Sequence, residues 1–132
     1  MLVAGSGGAL LDLLALRPWW SLHETTWVAV RAADTEVALA GETVRWHAGE
    51  KAWGAVRHLR ATRTDLVVSS SPKTARPYFV AARFLRVPTI WVEPLTAAGP
   101  PGWCARKASA VVVQNPALLA DRPGAVLIGE LY

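Results

Sequence analysis

Three stretches of this 132-residue chain place chemically useful groups at close spacing. The first is Gly5-Ser6-Gly7-Gly8, which opens a leucine-rich run containing Asp12. A glycine-lined turn at a helix start exposes backbone N–H groups beside the positive end of the helix dipole, which suits a diphosphate or a sugar hydroxyl. The same glycines serve equally well to let a strand and a helix pack closely. A dinucleotide-binding oxidoreductase is a lesser reading, because the third glycine of G-x-G-x-x-G falls on Leu10 and Arg31 stands where a ribose-binding acid would close the second strand.

The second stretch, SSSPKTARP from Ser69 to Pro77, sits where an apolar strand ends and a helix begins. Ser69, Ser70, Ser71 and Lys73 there provide hydroxyls, an ammonium group and free N–H groups for an anion. Helix capping by Ser71 or Thr74, with Lys73 merely solvated, is the competing reading. The third stretch is IWVEP, whose Glu93 ends an apolar strand. A carboxylate beside a partly dry cleft can take a proton or bind a sugar hydroxyl, or it can cap a neighbouring N–H.

Other chemistries fit poorly. Cys104 is the single cysteine and no G-x-S-x-G occurs, which argues against nucleophilic catalysis and excludes an internal disulfide. Three histidines without paired spacing offer no metal site of a recognised type. A net charge of +4 favours anionic partners. Nucleic acid is disfavoured among them, for want of an aromatic RNP-type strand, a zinc knuckle or a helix-turn-helix. Arg76, Arg83 and Arg86 share one side of a helix, and Trp19-Trp20 fall in a loop. These residues are candidates for a partner or an anionic membrane surface, against the plainer reading of solvated charges and packed rings.

The elements that must position these groups follow from periodicity. Apolar β-rich runs alternate with helical patterns: a strand at Leu2 to Ala4, a helix over Gly8 to Leu16 stopped by Pro18, and a strand at Thr26 to Val30. A helix over Asp34 to Ala40 capped by Asp34, a strand at Thr43 to Trp46 and a helix over Lys51 to Ala61 come next. Leu66 to Ser69 is a strand buried on both faces, as in a parallel sheet, and Thr74 to Leu85 is a helix with Pro77 in its first turn. Strands at Thr89 to Val92, Ala110 to Val113 and Ala125 to Ile128 complete the pattern, and Thr96 to Trp103 is a long loop. The fold class expected is α/β, a Rossmann-like doubly wound parallel sheet forming one domain over residues 1–132. Its ligands belong beyond the carboxyl ends of the strands, at Gly5 to Gly8, Ser69 to Ser71, Glu93, and Gln114 to Asn115. No apolar run approaches the ~20 residues of a membrane span and no export signal is legible, so the cytoplasm is the expected location.

Taken together, GSGGALLDLL, HETTWVAV, LAGETVRW, TDLVVSSSPKTARPYFVAARFLRVPTIWVEP and AVLIGEL resemble one family over nearly the whole chain. It is the acceptor-side subunit of the split UDP-sugar glycosyltransferases of polysaccharide and lipid-linked oligosaccharide biosynthesis. The bacterial exopolysaccharide form and its eukaryotic relative, which adds the second N-acetylglucosamine to a dolichol-diphosphate sugar, both belong to it. The resemblance implies the N-terminal half of a GT-B transferase, similar to the acceptor half of the peptidoglycan lipid-intermediate enzyme. It implies a domain inactive alone, with the UDP-sugar held by a donor-binding partner subunit and no cofactor of its own. The acceptor would be a lipid-diphosphate-linked sugar, met at the inner face of the cell membrane. Relatives carry G-S-G-G-H, and here the histidine's place is Ala9, which can neither take a proton nor hydrogen-bond through its side chain. Asp12 stands in the place of the family's acidic residue, so the resemblance makes Asp12 and Glu93 the candidate bases, with Gly5, Ser6, Gly7, Gly8, Ser69, Ser70, Ser71 and Lys73 around the acceptor. The absent histidine equally favours a non-catalytic scaffold that docks the donor subunit.

Overall fold

The structure is a computed structural model describing residues 1–129; Glu130 and Leu131, the end of the AVLIGEL segment, and Tyr132 lie outside it. Among the described residues seven short strands form one sheet, every adjacent pair parallel. They are β1 (Leu2–Ala4), β2 (Trp27–Ala29), β3 (Val44–Trp46), β4 (Val67–Ser69), β5 (Thr89–Val92), β6 (Ala110–Val113) and β7 (Val126–Leu127). Their order is β3-β2-β1-β4-β5-β6-β7, so the chain winds outward first on one side of β1 and then on the other. The switch between β1 and β4 opens a crevice at the carboxyl edge, where such sheets bind ligands. This is the doubly wound Rossmann-like architecture that the alternating pattern implies.

The helices are α1 (Gly8–Ala15), α2 (Arg17–Trp20), α3 (Ala33–Ala38), α4 (Ala52–Ala61), α5 (Pro72–Leu85) and α6 (Trp103–Lys107), with a 3₁₀ turn at Pro116–Leu119. Side chains alternate across the sheet with period two, so each strand feeds both cores. Val3, Val67 and Trp91 pack against Val56 and Leu59 of α4, Tyr78 and Phe79 of α5, and Cys104 of α6. Their strand neighbours Leu2, Ala4, Val68 and Val92 turn the other way, onto Leu10 and Leu13 of α1 and Trp20 of α2. A fully buried side chain such as Leu13 contributes about 1.5–3 kcal/mol of transfer energy. Burial on both faces explains why these strands read as continuous apolar runs.

Several local expectations are corrected. Helix α5 begins at Pro72 rather than Thr74, with Ser71 as its N-cap residue. Pro72 therefore fills the first turn, where its missing N–H costs nothing, and Pro77 falls in the helix interior. There it cannot donate to the carbonyl of Lys73, four residues back. Pro18 does not end helical structure, but sits near the start of the short α2. Asp34 is not the cap of α3; that position is Ala32, whose N–H donates to Thr35 Oγ1 at 2.9 Å. The loop expected over Thr96 to Trp103 ends one residue earlier, because α6 begins at Trp103, and the whole connection from β5 covers residues 93–102.

Candidate functional site

The carboxyl edge gathers the groups that the sequence singles out. Gly7 precedes α1 with φ of 68°, a left-handed conformation that favours glycine. Gly5 is close-packed, since a Cβ there would stand 2.7 Å from Ser71 Oγ. Ser69 Oγ donates to the Val3 carbonyl at 2.6 Å, and Ser70 Oγ donates to the Ala9 carbonyl at 2.6 Å. These two bonds stitch the end of β4 to the end of β1 and the start of α1. The Ser69 hydroxyl also accepts the Ser71 N–H at 3.1 Å. Ser6, Gly7 and Gly8 are exposed, whereas Ser69, Ser70 and Ser71 are buried.

An unforeseen contact occupies the glycine turn. Asp34 Oδ2 accepts the Gly7 N–H at 2.7 Å, while its Oδ1 accepts the N–H of Thr35 at 2.9 Å. The donor that a diphosphate would use is thus already met by a carboxylate of this chain.

Asp12 is linked through Gln114 to the backbone of Glu93. Asp12 is 2% exposed and accepts from Gln114 Nε2 at 3.1 Å. The same amide nitrogen lies 3.3 Å from the Glu93 backbone carbonyl, so Gln114 ties α1 to the end of β5. Gln114 Oε1 is buried without a partner among the described residues. Glu93 is 4% exposed, and its Oε1 accepts from Arg122 Nε at 2.6 Å. Arg122, itself buried, also donates from its Nη1 to the Gly99 carbonyl at 3.1 Å, which anchors the loop between β5 and α6. Arg122 is absent from the sequence reading, since a partner 29 residues away leaves no local pattern.

Beside this pair lies a cavity of about 560 Å³, bounded by the start of α5, the end of β5, the following loop and α6. Lys73, Arg76, Glu93 and Arg122 line it together with Trp91, Pro94 and Trp103. The Arg76 guanidinium sits over the Trp103 ring at 5.3 Å. Cys104 also reaches the cavity; burial pushes its thiol up to about 11, against a smaller opposing effect of Arg76.

The expected docking residues divide. Trp20 lies in the core, where its indole N–H donates to the Leu13 carbonyl at 2.8 Å and its ring meets Trp27 edge-on, so only Trp19 of the pair is at the surface. Arg76, Arg83 and Arg86 are exposed. Two further aromatics, unremarked in the sequence, are Trp53 of α4 and Phe84 of α5, 59% and 64% exposed, with ring centroids 6.4 Å apart. No helix among the described residues is long and apolar enough to cross a membrane. Nor do three metal-binding side chains converge anywhere among them.

A second polar cluster lies away from the crevice residues. His58 Nδ1 and Tyr78 Oη are 2.9 Å apart, joining α4 to α5. His47 Nδ1 stands 2.6 Å from Glu50 Oε2, and Arg45 Nε lies 3.7 Å from Glu50 Oε1. Burial disfavours ionised Glu50, but the backbone N–H groups of Glu50 and Ala48, with His47 and Arg45, outweigh it and hold the carboxyl below its ordinary value.

No family model matches the sequence, and no curated protein does. Among solved structures, the crystal structure of Acinetobacter baumannii MurG, a GT-B glycosyltransferase, is similar to it. The TM-score is 0.73 over 88% of this chain, at 18% identity. The similar region is 41% of the MurG chain. At that identity the likeness speaks for the fold alone: this chain has the Rossmann-like fold found over the matching 41% of the MurG chain.

Proposed function

We propose that this domain is the acceptor-side lobe of an inverting sugar transferase whose UDP-sugar is held by a donor-binding lobe on a separate polypeptide. The observation that carries the reading is the MurG likeness, which spans 88% of this chain and 41% of that one. A GT-B site lies in the cleft between two lobes, and one lobe provides only one wall. The acceptor is a lipid-diphosphate-linked sugar. Its hydroxyl oxygen attacks the anomeric carbon of the UDP-sugar from the face opposite UDP. The new glycosidic bond forms as the bond to the diphosphate breaks, UDP leaves with the electron pair, and a carboxylate takes the hydroxyl proton. Asp12 is taken as the base, since it stands in the place of the acidic residue of the family the sequence resembles; Gln114 donates to it as Arg122 donates to Glu93. Exposed Arg76, Arg83 and Arg86, with Trp19 and the Trp53–Phe84 pair, suit a peripheral position on an anionic membrane surface.

The test is to co-purify the domain with a donor-subunit candidate and supply UDP-sugars with a polyprenyl-diphosphate sugar. Turnover should require both chains. Asp12→Asn, which keeps an acceptor for Gln114, should lower kcat by about 10²- to 10⁴-fold at unchanged melting temperature, and Glu93→Gln combined with it should lower it no less. Arg83→Ala should leave kcat intact on a soluble acceptor analogue. Turnover by the isolated domain, with no need of any partner, overturns the proposal.

A second reading is a scaffold that binds the donor subunit without taking part in chemistry. Ala9 and the burial of both carboxylates favour it. Wild-type kcat in the double variant selects it.

A further inference from the structure

The groups that sequence reading assigns to an anion are largely spent. Each serine hydroxyl has a single proton to donate, and Ser69 and Ser70 direct theirs to the Val3 and Ala9 carbonyls. At the glycine turn, an incoming phosphate would meet the Asp34 carboxylate already seated on the Gly7 N–H. Like charges at such separations repel.

The neighbouring cavity has the opposite character. Lys73, Arg76, Arg122 and Glu93 line it; Arg122 and Glu93 neutralise each other, which leaves the positive charges of Lys73 and Arg76. The positive end of the 14-residue α5 adds to the same field. Its remaining walls are apolar, with Trp91, Pro94 and Trp103 foremost, and the buried Trp91 indole N–H has no hydrogen-bond partner among the described residues. At about 560 Å³ the space falls within the range of small-molecule sites.

We infer that this cavity, rather than the glycine turn, binds a diphosphate ester of an apolar alcohol, its phosphates beside Lys73 and Arg76 and the first part of its chain along the apolar walls. The inference deepens the proposed function, which supplies such a ligand as the acceptor, but its test needs no sugar transfer and no partner.

The domain is titrated calorimetrically with farnesyl diphosphate, with inorganic pyrophosphate and with farnesol. Farnesyl diphosphate should bind about tenfold or more tighter than either fragment, since both halves of the site then act together. Lys73→Gln with Arg76→Gln, both exposed positions, should weaken both phosphate ligands by about ten- to hundredfold at unchanged melting temperature. Ala97→Phe, which fills the cavity from the loop, should erase the preference for farnesyl diphosphate over pyrophosphate. Asp34→Asn should change neither affinity. Equal binding in the Lys73/Arg76 variant, equal affinity for pyrophosphate and farnesyl diphosphate in the wild type, or tighter binding in Asp34→Asn overturns the inference. If these affinities behave as stated while no partner supports turnover, the proposed function fails and the cavity assignment stands.

Discussion

Arg122 ties the end of β5 to the loop that follows it. Its guanidinium satisfies the buried Glu93 carboxylate at 2.6 Å and holds the loop through the Gly99 carbonyl. Removing one partner of a buried pair leaves an uncompensated charge, so Arg122→Ala should cost about 3–5 kcal/mol in chemical denaturation. The Glu93→Gln/Arg122→Gln double variant, which leaves no stranded charge, should lose clearly less; an equal loss would mean that the pair acts only through packing. Cys104 gives a second expectation at this scale. With its thiol pushed up to about 11 by burial, it should alkylate with iodoacetamide at neutral pH much more slowly than free cysteine, and denaturant should remove the difference. Neither Arg122 nor the Asp34–Gly7 bond was legible in the sequence, because both link residues from separate elements and leave no periodic trace. Glu93 and Asp12 were found as chemistry-bearing types, yet their burial and their common tie to Gln114 depend on how three elements meet.

The strands and long helices, by contrast, were legible because each buries a face whose period is imprinted on the chain. The alternation of Val67 with Val68, and of Trp91 with Val92, between the two cores is the same regularity seen from inside. Short elements escaped: α2 and α6 span too few residues for a helical period to emerge beside Pro18, Pro100 and Pro101. Between α4 and α5 a titration is built into the packing. Burial, reinforced by Arg45 and opposed by Glu50, holds His58 below its ordinary value of 6.5. Its contact Tyr78 remains a neutral phenol, pushed up to about 12 by burial and by Glu50. The folded state therefore prefers neutral His58 and binds fewer protons than the unfolded chain just below pH 6.5. The stability associated with neutral His58 is complete above that value and is lost as pH falls toward the depressed folded value. Melting temperature should drop as pH falls below 6.5, and His58→Asn should flatten part of that drop; parallel curves for the two proteins would show that His58 contributes nothing.

For the whole molecule, a charge of +4 and an exposed aromatic pair lead to one expectation about surfaces. The domain should sediment with phosphatidylglycerol-containing vesicles and much less with phosphatidylcholine alone. Salt should release it as the screening length shrinks below about 8–10 Å. Trp53→Ser with Phe84→Ser should weaken the association without shifting the salt dependence, whereas charge removal at Arg83 and Arg86 should shift it. No change with either pair of substitutions would leave the surface without a membrane role. The reach of Arg122 back to Glu93 also orders events during synthesis. Until the ribosome has released residue 122, the carboxylate at the end of β5 has no counterion to bury with. A chain truncated after Leu119 should thus be cleaved by protease around Gly99, and one that retains Arg122 should resist.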